Sequence, residues 1–273
     1  MVEKAVNTLP FMKMHGLGND FVVFDERAHG PLVTHALVIA MADRHCGVGY
    51  DQLVAIRNHA TEDMELIFWN ADGSIAGACG NATRCIAGWE LARTGNVTLS
   101  IRTERGVLQA TDAGGGKIEV NMGQPFLHWR EVPLAQDVDT LHLPIEGDPV
   151  ATGMGNPHCT FFVNDVASVD LETFGPLIEH HPLFPERTNV QVAQVLAPDR
   201  IRMRVWERGV GITLASGSSS CAVAVAASRR GLIGTVATLE LDGGEIQIKI
   251  LENGVHMTGA WAHMFDGQWR GAR

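Results

Sequence analysis

Cys79-Gly80-Asn81-Ala82-Thr83-Arg84-Cys85 and Ser216-Gly217-Ser218-Ser219-Ser220-Cys221 begin 137 residues apart in a chain of 273. Each reads as a glycine-containing junction between a strand and a helix. Three further polar positions recur at the same offset: Asn19 with Asn156, Gln52 with Asn189, and Asn70 with Glu207. Polar residues held in register across two halves indicate a duplicated unit. Two such halves can face each other across a cleft, with one reactive group on each wall.

The elements on either side repeat in the same order. In the first half, Phe21–Phe24, Gln52–Ile56 and Met64–Trp69 read as strands and 35–44 as a helix. A helix follows Cys79, with Ala82, Ile86 and Trp89 at helical spacing and Gly95 as its stop. Strands at 97–102, 107–111 and 117–122 come next, with a hairpin turn at Gly114-Gly115-Gly116. The second half replays this with strands at 159–163, 190–195 and 201–206, a helix at 171–180 and another at 220–230. Strands at 238–241, 245–251 and 255–258 finish it, with Gly243-Gly244 as the matching hairpin. This places one half at 1–125 with a returning tail, 261–273, and the other at 126–260.

Composition narrows the function classes. Hydrophobic residues are 45% of the chain and charged residues 19%, enough apolar mass for two cores. A net charge of −10 argues against a nucleic-acid partner. No apolar run is long enough to span a bilayer, so no membrane partner is expected. Residues 1–11 carry no signal-peptide pattern, and the five cysteines are an odd number, so a reduced, cytoplasmic protein with free thiols is expected. Cys79 and Cys85 lack a companion Cys/His pair at zinc spacing, so no metal site is expected.

Cys79 stands where a helix N-terminus favours a thiolate, and the N–H groups of Gly80 and Asn81 can bind a carboxylate. Thiol and anion site together suit an α-amino or α-hydroxy acid. Ser216-Gly217-Ser218 offers an equivalent anion cradle, or a plain serine-rich cap. Glu207-Arg208 can grip a zwitterion, carboxylate on ammonium and guanidinium on carboxylate, or form a surface ion pair. His158, after Asn156-Pro157, can orient or deprotonate a neighbour, or be a hydrogen-bonded loop histidine. Cys46, Cys85, Cys159 and Cys221 are assigned to packing.

Met14–Phe21, Asn70-Ala-Asp-Gly-Ser, Cys79–Cys85, Gly155-Asn-Pro-His, Thr188-Asn189-Val and Glu207-Arg-Gly-Val-Gly together resemble the diaminopimelate epimerase family. The match runs in order over essentially the whole chain. It implies an α/β (α+β) fold of two pseudo-symmetric domains, each a mixed or antiparallel sheet wrapped round a central helix, with the active site in the interdomain cleft. It also implies cofactor-free epimerisation of LL-diaminopimelate to the meso form, for lysine and peptidoglycan precursors, by a possible homodimer. By position Cys79 resembles the first catalytic cysteine. Asn19, Gln52, Asn70, Asn156, Asn189, Glu207 and Arg208 resemble the substrate-binding set. Gly80-Asn81 and Gly217-Ser218 resemble the carboxylate cradles, and His158 and Glu207 the partners of the two catalytic groups.

One position departs from that pattern. The family's second cysteine falls at Ser216, a much weaker acid than a thiol. Open alternatives are a variant that works with serine, a substituted substrate trap, a racemase or dehydratase with another substrate, and a one-base chain. An amino-acid-binding protein without turnover is the non-enzyme alternative.

Overall fold

The computed structural model describes residues 8–271. The chain divides into two compact units, the described parts of Met1–Ile118 with Trp261–Arg273, and Glu119–Ala260. The divisions fall at 118/119 and 260/261; the sequence reading puts the first junction near residue 125, at Gly123–Pro125, and the start of the tail at 261. The fold is mixed α+β, with four α-helices among the described residues.

The first unit contains β1 (Leu9–Gly16), β2 (Asn19–Asp25), α1 (His35–Ala42), β3 (Gln52–Arg57), β4 (Met64–Asn70), β5 (Ile75–Ala76), α2 (Gly80–Thr94), β6 (Thr98–Thr103) and β7 (Gly106–Gly114). A strand β8 (Lys117–Asn121) carries the chain onward. The second unit contains β9 (Val150–Gly153), β10 (Pro157–Phe162), α3 (Leu171–Glu179), β11 (Asn189–Ala197), β12 (Arg200–Glu207), β13 (Gly211–Thr213) and α4 (Gly217–Arg229). It closes with β14 (Val236–Leu241), β15 (Gly244–Leu251) and β16 (Gly254–Ala260), and β17 (Ala262–Trp269) returns to the first unit.

Each unit is a mixed sheet curled round one helix. In the first, the order is β17-β1-β2-β3-β4-β6-β7, parallel at β2–β3 and β4–β6 and antiparallel elsewhere. In the second, β9-β10-β11-β12-β14-β15-β16 repeats this, parallel at β10–β11 and β12–β14. The register repeats too: Phe21 pairs with Gln52 as His158 pairs with Asn189, 137 residues on.

The central helices are buried nearly all round, which is why they lack a clean amphipathic stripe. Small residues make this possible. In α4 the run Ala222-Val-Ala-Val-Ala-Ala is entirely buried. In α2 Gly88 lies against Trp261, where an added Cβ would stand 2.3 Å from the indole. Gly88→Ala is therefore expected to destabilise the fold by about 1–3 kcal/mol despite alanine's better helix propensity. Urea denaturation measures this; an unchanged midpoint would show that Trp261 repacks freely.

Several sequence-based boundaries shift. Gly95 does end α2, in a left-handed conformation (φ 74°) with its N–H on Leu91 O. Helix α4 starts at Gly217, three residues before the expected 220, because Ser216 occupies the N-cap. Gly244 pairs with Leu241 across the β14–β15 turn, so its counterpart is the Thr103–Gly106 turn and not Gly114-Gly115-Gly116. Strands β1, β5, β9, β13 and β17 were not expected, although the tail was expected to return, and it pairs antiparallel with β1. Cys46 is exposed, beyond the end of α1, and so is not a packing residue; Cys85, Cys159 and Cys221 are buried. Among the described residues no helix is long and apolar enough to cross a membrane, and no His/Cys/Asp/Glu group could hold a metal ion.

Candidate active site

Strand β4 ends at Asn70, a turn and short β5 follow, and Cys79 then caps α2 in an extended conformation (φ −144°, ψ 107°). The cap places Sγ 3.5 Å from Ala82 N, which donates to it. The remaining first-turn N–H groups of a helix have no intrahelical acceptor, so Gly80 and Asn81 stand at a site suited to an anion. Cys79 is half-buried, unlike Cys85 and Cys159, where burial raises the thiol, for Cys85 to about 12. Those two are poorly placed to exchange a proton near neutral pH.

Two amide pairs form in the first unit. Asn81 Nδ2 donates to Asn19 Oδ1 at 3.2 Å. Asn19 Nδ2 in turn donates to Asp51 Oδ2 at 2.7 Å, and Arg44 secures Asp51 at 2.8 Å. Asp51 thus fixes the Asn19 amide, a contact the sequence reading missed. Gln52 Nε2 donates to Asn70 Oδ1 at 3.0 Å, and Asn70 Nδ2 to Ser74 Oγ at 3.0 Å.

In the second unit Ser216 caps α4 with nearly the same backbone angles (φ −138°, ψ 118°), but its side chain makes no cap bond. Its hydroxyl donates instead to Glu207 Oε2 at 2.9 Å. A serine cap bond contributes about 1 kcal/mol to a helix, so Ser216 forgoes that contribution for a carboxylate partner. Thr213, also unforeseen, donates to Glu207 Oε1 at 2.6 Å and orients the carboxylate from its other side.

The remaining residues form a second cluster. Asn189 spans two backbones, donating to Pro157 O at 2.9 Å and accepting from Arg208 N at 3.0 Å. Arg208 Nη1 donates to Glu186 O at 3.0 Å; burial, aided by the like charge of Arg187, lowers its pKa. His158 is fully buried, with Nε2 2.9 Å from Asn156 Oδ1 and Nδ1 3.0 Å from Gln191 Nε2. Gly217 and Ser218 form the first turn of α4. Gln191 was missed, though its position two residues past Asn189 puts both on one strand face.

The geometry pairs Asn19 with Asn81, Gln52 with Asn70, Asn156 with His158, Asn189 with Arg208, and Glu207 with Ser216. The profile of the family described as diaminopimelate epimerase matches residues 11–127 and 150–264. A diaminopimelate epimerase of Rhodospirillum centenum is 51% identical over 265 residues, covering 94% of this chain and 91% of its own. One from Acidiphilium cryptum is 49% identical over 265 residues, covering 95% of each. Among solved structures, a hydroxyproline epimerase from Agrobacterium vitis matches with a TM-score of 0.68 at 12% identity, over 96% of this chain and 92% of that one. A PhzF-family phenazine biosynthesis protein of Bacillus anthracis gives 0.70 at 12%, over 96% and 99%. At such identity these structures establish the fold alone. With the family profile matched over most of its length and about half its residues identical to named relatives, the chain belongs to the diaminopimelate epimerase family.

Proposed function

We propose that this chain interconverts LL- and meso-diaminopimelate by moving the α-proton with its own side chains, without a cofactor. The observation that carries the reading is the equivalence of Cys79 and Ser216, each capping a central helix whose first N–H groups can hold the reacting carboxylate. Inversion requires proton removal on one face of the α-carbon and delivery on the other. Cys79 serves one face as thiolate or thiol.

Ser216 and Glu207 serve the other face as a unit. An unassisted hydroxyl is too weak an acid to match the task, but Oγ already donates to Glu207 Oε2 at 2.9 Å. When the pair acts as base, Oγ takes the α-proton as its own proton passes to Glu207. When it acts as acid, Oγ gives its proton to the carbanion and recovers one from the Glu207 carboxylic acid. The amides of Asn19, Gln52, Asn70, Asn156 and Asn189, with Arg208, suit a substrate polar at both ends. A homodimeric, cytoplasmic enzyme completes the proposal.

Incubation of the full chain with either isomer, followed by chiral chromatography, tests the reading. Both isomers are expected to reach one equilibrium mixture; no interconversion from either side refutes it. Ser216 itself favours a second reading, α-proton exchange without inversion, which would leave each isomer stereochemically intact but deuterated in D2O.

A further inference from the structure

The two units differ sharply at one set of register-equivalent core positions. In the second unit His158, Thr160, Gln191 and Ser219 are polar and fully buried. The equivalent positions in the first unit, 137 residues earlier, are Phe21, Val23, Val54 and Ala82, equally buried and all apolar. Strand register confirms the equivalence, since Val23 pairs with Val54 as Thr160 pairs with Gln191. Ala82 and Ser219 are each the third residue of their helix. The fold therefore does not require polarity there, and a buried polar network is costly unless fully satisfied.

Every member of this network has a hydrogen-bond partner. Thr160 Oγ1 donates to Gln191 Oε1 at 3.2 Å. Gln191 Nε2 then places one hydrogen on Ser219 Oγ at 3.2 Å and the other on His158 Nδ1 at 3.0 Å. With Nδ1 accepting, the imidazole proton lies on Nε2, which donates to Asn156 Oδ1 at 2.9 Å. That commits the oxygen of Asn156 and leaves its Nδ2 as the end that can donate to a ligand.

We infer that Gln191, held by Thr160 and Ser219, is a positioning residue that sets the tautomer of His158 and through it the orientation of the Asn156 amide. Its relevance to turnover rests on the substrate-binding role proposed above for Asn156. The device is absent from the first unit, where Asn19 is held instead by Asp51 and Asn81.

The test combines 15N NMR of the His158 imidazole with kinetics and thermal melting. The parent is expected to show the Nε2–H tautomer. Gln191→Glu keeps the shape but replaces the donor with an acceptor, so the proton should appear on Nδ1. In the triple variant Thr160→Val/Gln191→Leu/Ser219→Ala both tautomers should appear. Its Tm should not fall, and kcat/KM should drop on the order of 100-fold, the usual cost of a misplaced contact.

An Nδ1–H tautomer in the parent, or an unchanged tautomer in both variants, overturns the inference. So does unfolding of the triple variant, or a changed tautomer with undiminished kcat/KM. The NMR arm needs no turnover. A parent with the expected tautomer but no epimerase activity would refute the proposed function and leave the lock standing.

Discussion

Cys79→Ser should abolish interconversion of the two diaminopimelate isomers, a loss on the order of 10³-fold or more. Positioned proton transfer contributes roughly 10²–10⁴-fold, and removing the thiol forfeits it on one face, without which inversion cannot proceed. The sequence already contains a serine at the equivalent position, so the replacement is not sterically foreign to this cap. It is chemically foreign to the first unit. Where the second unit supplies Glu207 to Ser216, the register-equivalent residue is Asn70, an amide that cannot take a proton, and its own contacts are Gln52 and Ser74. Chiral chromatography of the two isomers, with a thermal melt as control, measures the effect. Retained interconversion in a folded variant would mean that Cys79 is not an acid–base group.

The second large effect has the opposite sign. Ser216→Cys should raise kcat on the order of 100-fold, because a thiol near pKa 8.5 matches the task far better than a hydroxyl. The backbone at 216 already has the cap conformation that Cys79 adopts, so the new thiol needs no rearrangement. Glu207→Gln in the parent should abolish inversion, since Ser216 then has no proton acceptor; in the Ser216→Cys background it should cost less. A parent as fast as Ser216→Cys, or indifferent to Glu207→Gln, would show that the second proton comes from elsewhere.

Much of this was legible in the sequence because the duplication is strict. One offset relates Asn19 to Asn156, Gln52 to Asn189 and Cys79 to Ser216, and the structure keeps that register in paired strands. Long β runs and the helix stop at Gly95 follow from local pattern and turn chemistry. Short edge pairings do not: β5 is two residues long and β13 three, and their hydrogen bonds depend on β4 and β12. The start of α4 was misplaced because a serine run reads equally as loop, cap or first turn. The residues that orient others were the least visible. Asp51, Thr213 and Gln191 act through partners distant in sequence, and only Gln191 carried a strand-face signal.

The most direct test is isotopic. LL-diaminopimelate is incubated with the full chain in D2O for a small fraction of the approach to equilibrium, and the α-deuterium content of each isomer is measured separately. Different groups serving the two faces should give meso product with one deuterium at the inverted carbon while the remaining LL substrate stays protiated. Deuterium accumulating in LL substrate without meso product would contradict the account, leaving Cys79 as the sole base and Ser216 inert.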